Sequence, residues 1–432
     1  MTKLTRIALA AIGLAGLALA GQPVQAQTIE VNGTGSSAGR NFASLTPSYV
    51  CDPGTQARFY FNNTAGDPLL PSTRTEWQCK RGGVDHVFRY FASASRDGFT
   101  FVTGALQSRA SFLNSTHSGC TQIGGTNPRP IGGHPNVLVF NCVSNPNNVS
   151  HVIHYGATDV KASSFSQSGF GTSVTPPDDS TVTVTPIVTV PFAVVVGPNV
   201  RGGDGTTLKN LQKLELQQIL SGQVTDWTQL GHDTTTSDKR IVVCHRTPGS
   251  GTLATLDQTI MKGPGVTSIN GVASATNIGN VSSGNVFDCM NNVAVNPLFA
   301  NAIGYIDSDT VPALTNGAYK VKVDGADIFD ATQPPSAGAA RLKDLVCGKW
   351  SYWADWNVVT RNSGVDGLSN GTITVPTGTD AAIQAYIDAA LVNNPLPGFW
   401  AAQADMFVFK NSDRGPHNWF GASPAQRTAC SS

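Results

Sequence analysis

The chain has 432 residues with 28 Lys and Arg against 28 Asp and Glu, and no basic run of the kind that neutralises a phosphodiester backbone, so nucleic acid is not an expected partner. That length exceeds what one hydrophobic core usually holds, which predicts two lobes, and 45 glycines with 25 prolines predict many turns. Eight cysteines, none in a CxxC pair, favour disulfides over structural zinc, which draws its ligands from tight pairs.

In chain order, residues 1–26 combine Lys3 and Arg6 with an apolar run and the small-residue site Val24-Gln25-Ala26, which predicts a secretory signal cut after Ala26. Two of the 28 basic residues leave with it, so the mature chain has 26 basic and 28 acidic side chains. No cysteine stands at the cut and no later run of about 18 apolar residues follows. The expectation is a periplasmic or secreted monomer with no stable membrane insertion.

The mature start TIEVNGTGSSAGRNF predicts a short strand over Thr28–Val31 and then a turn holding Gly33, Gly35 and Gly39 among Ser36 and Ser37, the layout of an anion-binding sheet end. Residues 51–85 and 107–150 are rich in Asn, Pro, Gly, Ser and Thr and read as disulfide-stapled surface insertions. The simplest bridges join neighbours in order: Cys51 with Cys79, Cys120 with Cys142, Cys244 with Cys289, and Cys347 with Cys430. Between the insertions a strand pattern breaks at Ser93, Ser95 and Gly98.

After them, VSHVIHYGATD predicts a short strand that ends with Asp159, a carboxylate where parallel α/β sheets place ligand groups. TVTVTPIVTVPFAVVV is a β-branched run whose Pro186 and Pro191 predict a bend where the chain crosses between lobes. A helix is expected from Thr206 or Thr207 to Gly222, on the spacing of Leu208, Leu211, Leu214, Leu216, Ile219 and Leu220. Strand KRIVV, helix LATLDQTIM, strands in FANAIGYIDSDTV and AYKVKVDG, the aromatic strand KWSYWADWNVVTR and the helix TDAAIQAYIDAALVNN complete an α/β alternation.

The chemistry concentrates in VVCHRTPGSGT. Arg246 offers a planar cationic fork suited to tetrahedral oxyanions. A helix starting near Ser250 would aim unpaired amides at the same spot, with Ser250 and Thr252 adding hydroxyls and Gly251 allowing close backbone approach. Taken alone, the segment also fits a surface cation beside a turn that caps a helix. His151 and His154 stand three apart in a strand and point to opposite faces, so no metal is expected. Trp350, Tyr352, Trp353 and Trp356 read as packing aromatics rather than a sugar platform. Gly249-Ser250-Gly251 lacks the GxSxG spacing of a nucleophile elbow, so no catalysis and no cofactor are expected.

VVCHRTPGSGT resembles the VVHRxxxSGT signature of the periplasmic phosphate-binding proteins of ABC transporters. GTGSS, YGATD, LELQQILSGQVTDWTQLG and NAIGYIDSD resemble further motifs of that family in the same order. The resemblance implies a two-lobed, type II periplasmic-binding-protein fold of class α/β, with the ligand cleft between lobes and the stapled insertions outside it. Lobe one would take 27–190 and 346–432, and lobe two 191–345. It also implies that Arg246, Ser250, Gly251 and Thr252 hold phosphate from one lobe, and that Ser37, Ala38 and Asp159 hold it from the other, with Ser36, Ser93 or Ser95 as further donors. An ABC transporter permease is the implied partner.

A carboxylate only accepts hydrogen bonds, so Asp159 favours an anion that still carries a proton and disfavours sulfate. Where the family has phenylalanine after the first serine, this chain has Ala38 then Gly39, which alters one wall of the pocket. Two other readings stay open: a secreted interaction or matrix protein on the same scaffold, and a phosphate-ester hydrolase, which lacks an evident nucleophile or metal cluster.

Overall fold

A computed structural model describes residues 27–61, 73–113, 117–123, 129–131, 134–142, 149–167, 174–261, 277–291, 297–413, 417–419, 428 and 430. The expected signal segment, 1–26, lies outside them.

The first strand is longer than its alternation suggests. β1 runs Ile29–Ser36, so Gly33 and Gly35 lie inside it and the turn is confined to residues 37–39. Its neighbours on both sides explain the extension: β4 (Val84–Ser93) and β5 (Tyr155–Thr158) pair with it in parallel. The glycines admit those neighbours, since a Cβ on Gly33 would lie 2.1 Å from the Tyr155 ring. The strand is therefore closed by its pairing partners, which local propensity does not reveal.

β2 (Ala57–Tyr60) and β3 (Arg74–Arg81) continue this sheet antiparallel from β4, and the strand His134–Asn141 lies parallel beyond β2. The two stapled segments are thus not only surface loops: they extend the sheet edge, with Trp77 and Tyr60 fully buried. All four disulfides join neighbours in order, as expected, and close separations of 28, 22, 45 and 83 residues.

β6 (Val182–Val196) is 15 residues long. From Val182 to Pro191 it pairs antiparallel with β10 (Trp353–Arg361), and from Phe192 to Val196 with β9 (Ala302–Asp307). The handover falls at the second proline, and the first sits at a register shift between Pro186 and Val188, because proline cannot donate to the ladder. Beyond β9 come β7 (Val242–Arg246) and β8 (Asn277–Asn280), both parallel, giving the order β8-β7-β9-β6-β10-β5-β1-β4-β3-β2.

Helices are short: α1 (Arg40–Leu45), α2 (Ser95–Thr100), α3 (Lys213–Leu220), α4 (Gly251–Leu256), α5 (Ser283–Asn291) and α6 (Thr379–Val392). α3 corrects the expectation of a helix from residue 206, since it starts after Gln212. Leu208 and Leu211 are buried, but Leu211 belongs to a two-residue strand, Asn210–Leu211, paired with Lys322–Val323. Their spacing mimicked a helical stripe, while tertiary pairing held Leu211 extended. α6 agrees with its expected start at Thr379 and packs Tyr386 against Tyr155 at 5.2 Å between ring centroids.

Trp350, Tyr352, Trp353 and Trp356 are all buried in the core, as packing residues should be. Among the described residues no helix is long and apolar enough to cross a membrane.

Candidate functional site

Parallel register decides which residues meet. Ser36 at the end of β1 stands opposite Ser93 at the end of β4, and β5 ends beside them one residue before Asp159. Across the β6 handover, β7 and β9 run parallel and end in Arg246 and Asp307. Loops at strand C-termini from both sets of strands therefore converge, the position where open α/β sheets bind ligands.

Asp159, 1% exposed, anchors one side. Ser36 Oγ donates to its Oδ1, and Ser95 Oγ donates to its Oδ2 at 2.9 Å. Gly251, the first residue of α4, comes from the other side and touches them: a Cβ there would lie 2.5 Å from Ser95 Oγ and 2.8 Å from Asp159 Oδ2. Only glycine fits that approach.

Arg246, 2% exposed, donates through Nη1 to Ser283 Oγ at 2.8 Å and through Nη2 to the Val281 carbonyl at 3.0 Å, while its Nε has no hydrogen bond. Its backbone amide donates to Tyr305 Oη at 2.9 Å. Ser283 in turn meets the first side, its amide donating to Ser37 Oγ at 3.1 Å. Arg40, the first residue of α1, adds a second buried guanidinium: Nη1 donates to the Ser37 carbonyl at 2.6 Å and to Asp307 Oδ2 at 3.1 Å, and Nη2 is unpaired.

Burial pushes the Asp159 carboxyl above its usual range, against the pull of the Ser36 and Ser95 hydroxyls and the Arg246 charge. The Arg246 guanidinium is lowered by burial and supported by Asp307, Tyr305 and Asp159. Two arginines and two carboxylates thus share one dehydrated cluster, where each interaction is far stronger than in water.

Of the residues expected at the site, the structure brings together Ser36, Ser37, Ser95, Asp159, Arg246, Gly251 and Thr252, with Ala38 buried beside Ser37. Ser250 serves first as the cap of α4, its Oγ accepting from the Leu253 amide at 3.2 Å. Of the two open alternatives, Ser95 reaches Asp159, whereas Ser93 lies 3.3 Å from Thr34 Oγ1. The altered wall at Gly39 is filled from β10: a Cβ there would fall 1.9 Å from Trp356 Nε1.

Arg40, Ser283 and Asp307 were not foreseen. Asp307 carries the same strand-end signal that singled out Asp159, and Arg40 closes the glycine-serine turn. Nothing local marks Ser283, which arrives by the pairing of β8 with β7.

His151 and His154 do not converge. His151 faces Glu30 at 3.2 Å, while His154 Nδ1 accepts from the Asn32 amide and burial lowers its imidazole to about 4. Among the described residues, no three of His, Cys, Asp and Glu group as a metal site.

A family model described as a PBP superfamily domain matches residues 153–382. No curated protein matches. Solved structures align over most of the chain at low identity. One from Clostridium perfringens with bound phosphate, described as a phosphate ABC transporter substrate-binding protein, is 15% identical with a TM-score of 0.42, covering 84% of this chain and 93% of its own. A phosphate binding protein from Stenotrophomonas maltophilia is 17% identical, TM-score 0.36, with 83% and 89% covered. PstS from Borrelia burgdorferi is 12% identical, TM-score 0.34, with 84% and 92% covered.

Proposed function

This chain belongs to the PBP superfamily, and from that premise we propose that it captures inorganic phosphate, as a proton-carrying tetrahedral oxyanion, in a cleft between two lobes that part at the β6 handover. Lobe one would be 27–190 with 346–432, and lobe two 191–345. The observation that carries this reading is the single buried cluster in which Asp159, flanked by two serine hydroxyls, and Arg246 come from opposite sides of that handover. The arginine fork supplies opposite charge to replace lost water, and hydroxyls and amides of Ser37, Ala38, Gly251 and Thr252 add directed donors. The carboxylate accepts the ligand's remaining proton, which sulfate lacks. Closure would expel water and strengthen each contact. No step is chemical: the protein binds without turnover, and delivers the anion to an ABC importer after export.

Calorimetric titration of ligand-stripped protein tests it. Phosphate and arsenate should each saturate one site, and sulfate should give no binding heat. Absence of phosphate heat, or equal binding of sulfate, would remove the reading.

Gly251→Ala provides a second check on the closed cleft. The new Cβ would wedge α4 against Ser95 and Asp159, and overpacking of about 1–3 kcal/mol corresponds to a loss of roughly five- to 150-fold in phosphate affinity.

A secreted interaction role is favoured by one feature, the stapled strands at the sheet edge farthest from the site. Cell fractionation decides: protein in the medium supports that role, protein in the periplasm supports import.

A further inference from the structure

We infer that Asp307 is a second, proton-accepting member of the anion site, paired to Arg40, so that capture of the anion takes up a proton at this carboxyl. The inference rests on the phosphate reading above and adds to it the protonation state in which the site works.

The geometry separates Asp307 from its neighbour Asp309. Asp309 is satisfied on both oxygens, by Asn41 Nδ2 at 2.6 Å and Trp400 Nε1 at 3.2 Å. Asp307 is fully buried, yet its Oδ2 meets only Arg40 and its Oδ1 has no hydrogen bond. An unpaired buried carboxylate oxygen is costly unless it is protonated or meets a donor.

The groups facing Asp307 come from every packed element. They are Arg40 on α1, Arg246 at the end of β7, Asp309 in the turn after its own strand, Asp159 after β5, and Tyr352 just before β10. Burial, first of all, raises its carboxyl to about 7 despite the Arg40 charge, with Asp309 adding to the rise, Arg246 opposing it and Asp159 adding again.

Charge balance supplies the link to the ligand. Arg40 and Arg246 bring two positive charges against three carboxyls, Asp159, Asp307 and Asp309, so a divalent anion entering this dehydrated cluster leaves it with excess negative charge. A proton on Asp307 offsets part of that excess and turns Oδ1 from a repelling acceptor into a donor. Because the anion raises the carboxyl further, the complex holds more protons than the free protein. The contribution of this carboxyl to affinity is therefore fully present in acid and falls as pH rises through and beyond about 7.

The test is calorimetry of phosphate binding near pH 7 in two buffers of different ionisation enthalpy, which counts protons taken up, on the natural protein and on Asp307→Asn. The natural protein should take up a larger fraction of a proton than the variant, and its affinity should fall more steeply with pH, by up to about tenfold per unit. The ligand's own titration is common to both and cancels. Arg40→Gln keeps the carboxyl without its counter-charge and should move the onset of uptake to higher pH, which a purely structural pair would not do. Equal proton counts in all three proteins would overturn the inference and leave the phosphate reading standing. Failure of the natural protein to bind phosphate at all would overturn both.

Discussion

Arg246→Gln should weaken phosphate binding by between about a hundred-fold and a few thousand-fold in calorimetric titration. The guanidinium is 2% exposed, and its two Nη groups are committed to Ser283 Oγ and the Val281 carbonyl, which fixes the fork without neutralising it. Removing one partner of a buried charge interaction costs about 3–5 kcal/mol, and each 1.4 kcal/mol is about tenfold in affinity. Glutamine keeps a donor of nearly the right reach but no charge, so the loss reads the electrostatic part of capture. Arg246→Lys should recover only part of it, because a single ammonium cannot hold Ser283, Val281 and the anion together. A variant that bound phosphate normally would show that the anion site lies elsewhere.

Asp159→Asn should collapse the discrimination between phosphate and sulfate. A site that repels an acceptor with a buried acceptor can discriminate by roughly 10⁴ to 10⁵, and asparagine replaces one acceptor by a donor that sulfate can use. Competition titrations should show sulfate displacing phosphate from the variant at concentrations that leave the natural protein untouched.

The same substitution should not lower stability at neutral pH. Burial raises the Asp159 carboxyl above its unfolded value, so its proton is held more tightly in the folded state, and the stability it contributes is present in acid and lost as pH rises through the folded value. As pH rises above the unfolded value, the buried carboxyl contributes progressively less to the stability of the fold, whereas the neutral amide carries no such dependence. Scanning calorimetry should find the thermal midpoint of the variant at pH 7 equal to or above that of the natural protein, a sign that Asp159 serves binding at the expense of folding.

Much of this architecture was readable from short patterns. The β-branched run with two prolines marked β6, and both prolines sit where its pairing bends or changes partner. Cysteine order left the connectivity open, and the simplest set, neighbours in order, is the one the structure has, with separations from 22 to 83 residues. Patterns failed where a neighbour overrode local preference: β1 continues through its glycines because two parallel strands hold it, and the leucines before α3 follow a helical spacing while one of them, Leu211, lies in a strand.

At the site, the sequence by itself determined the chemical types: a fork-shaped cation beside a glycine-serine turn, a carboxylate at a strand end, and hydroxyls near both. Those follow from residue identity and from spacing within single segments. Only the tertiary structure decided that Ser95 rather than Ser93 reaches Asp159, that Ser250 is occupied as a helix cap, and that Arg40, Ser283 and Asp307 join the cluster. The reason is sheet register and the change of partners along β6: parallel strands bring Ser36 level with Ser93, the handover brings Ser37 to Ser283 across 246 positions, and no local pattern encodes which strand ends will meet.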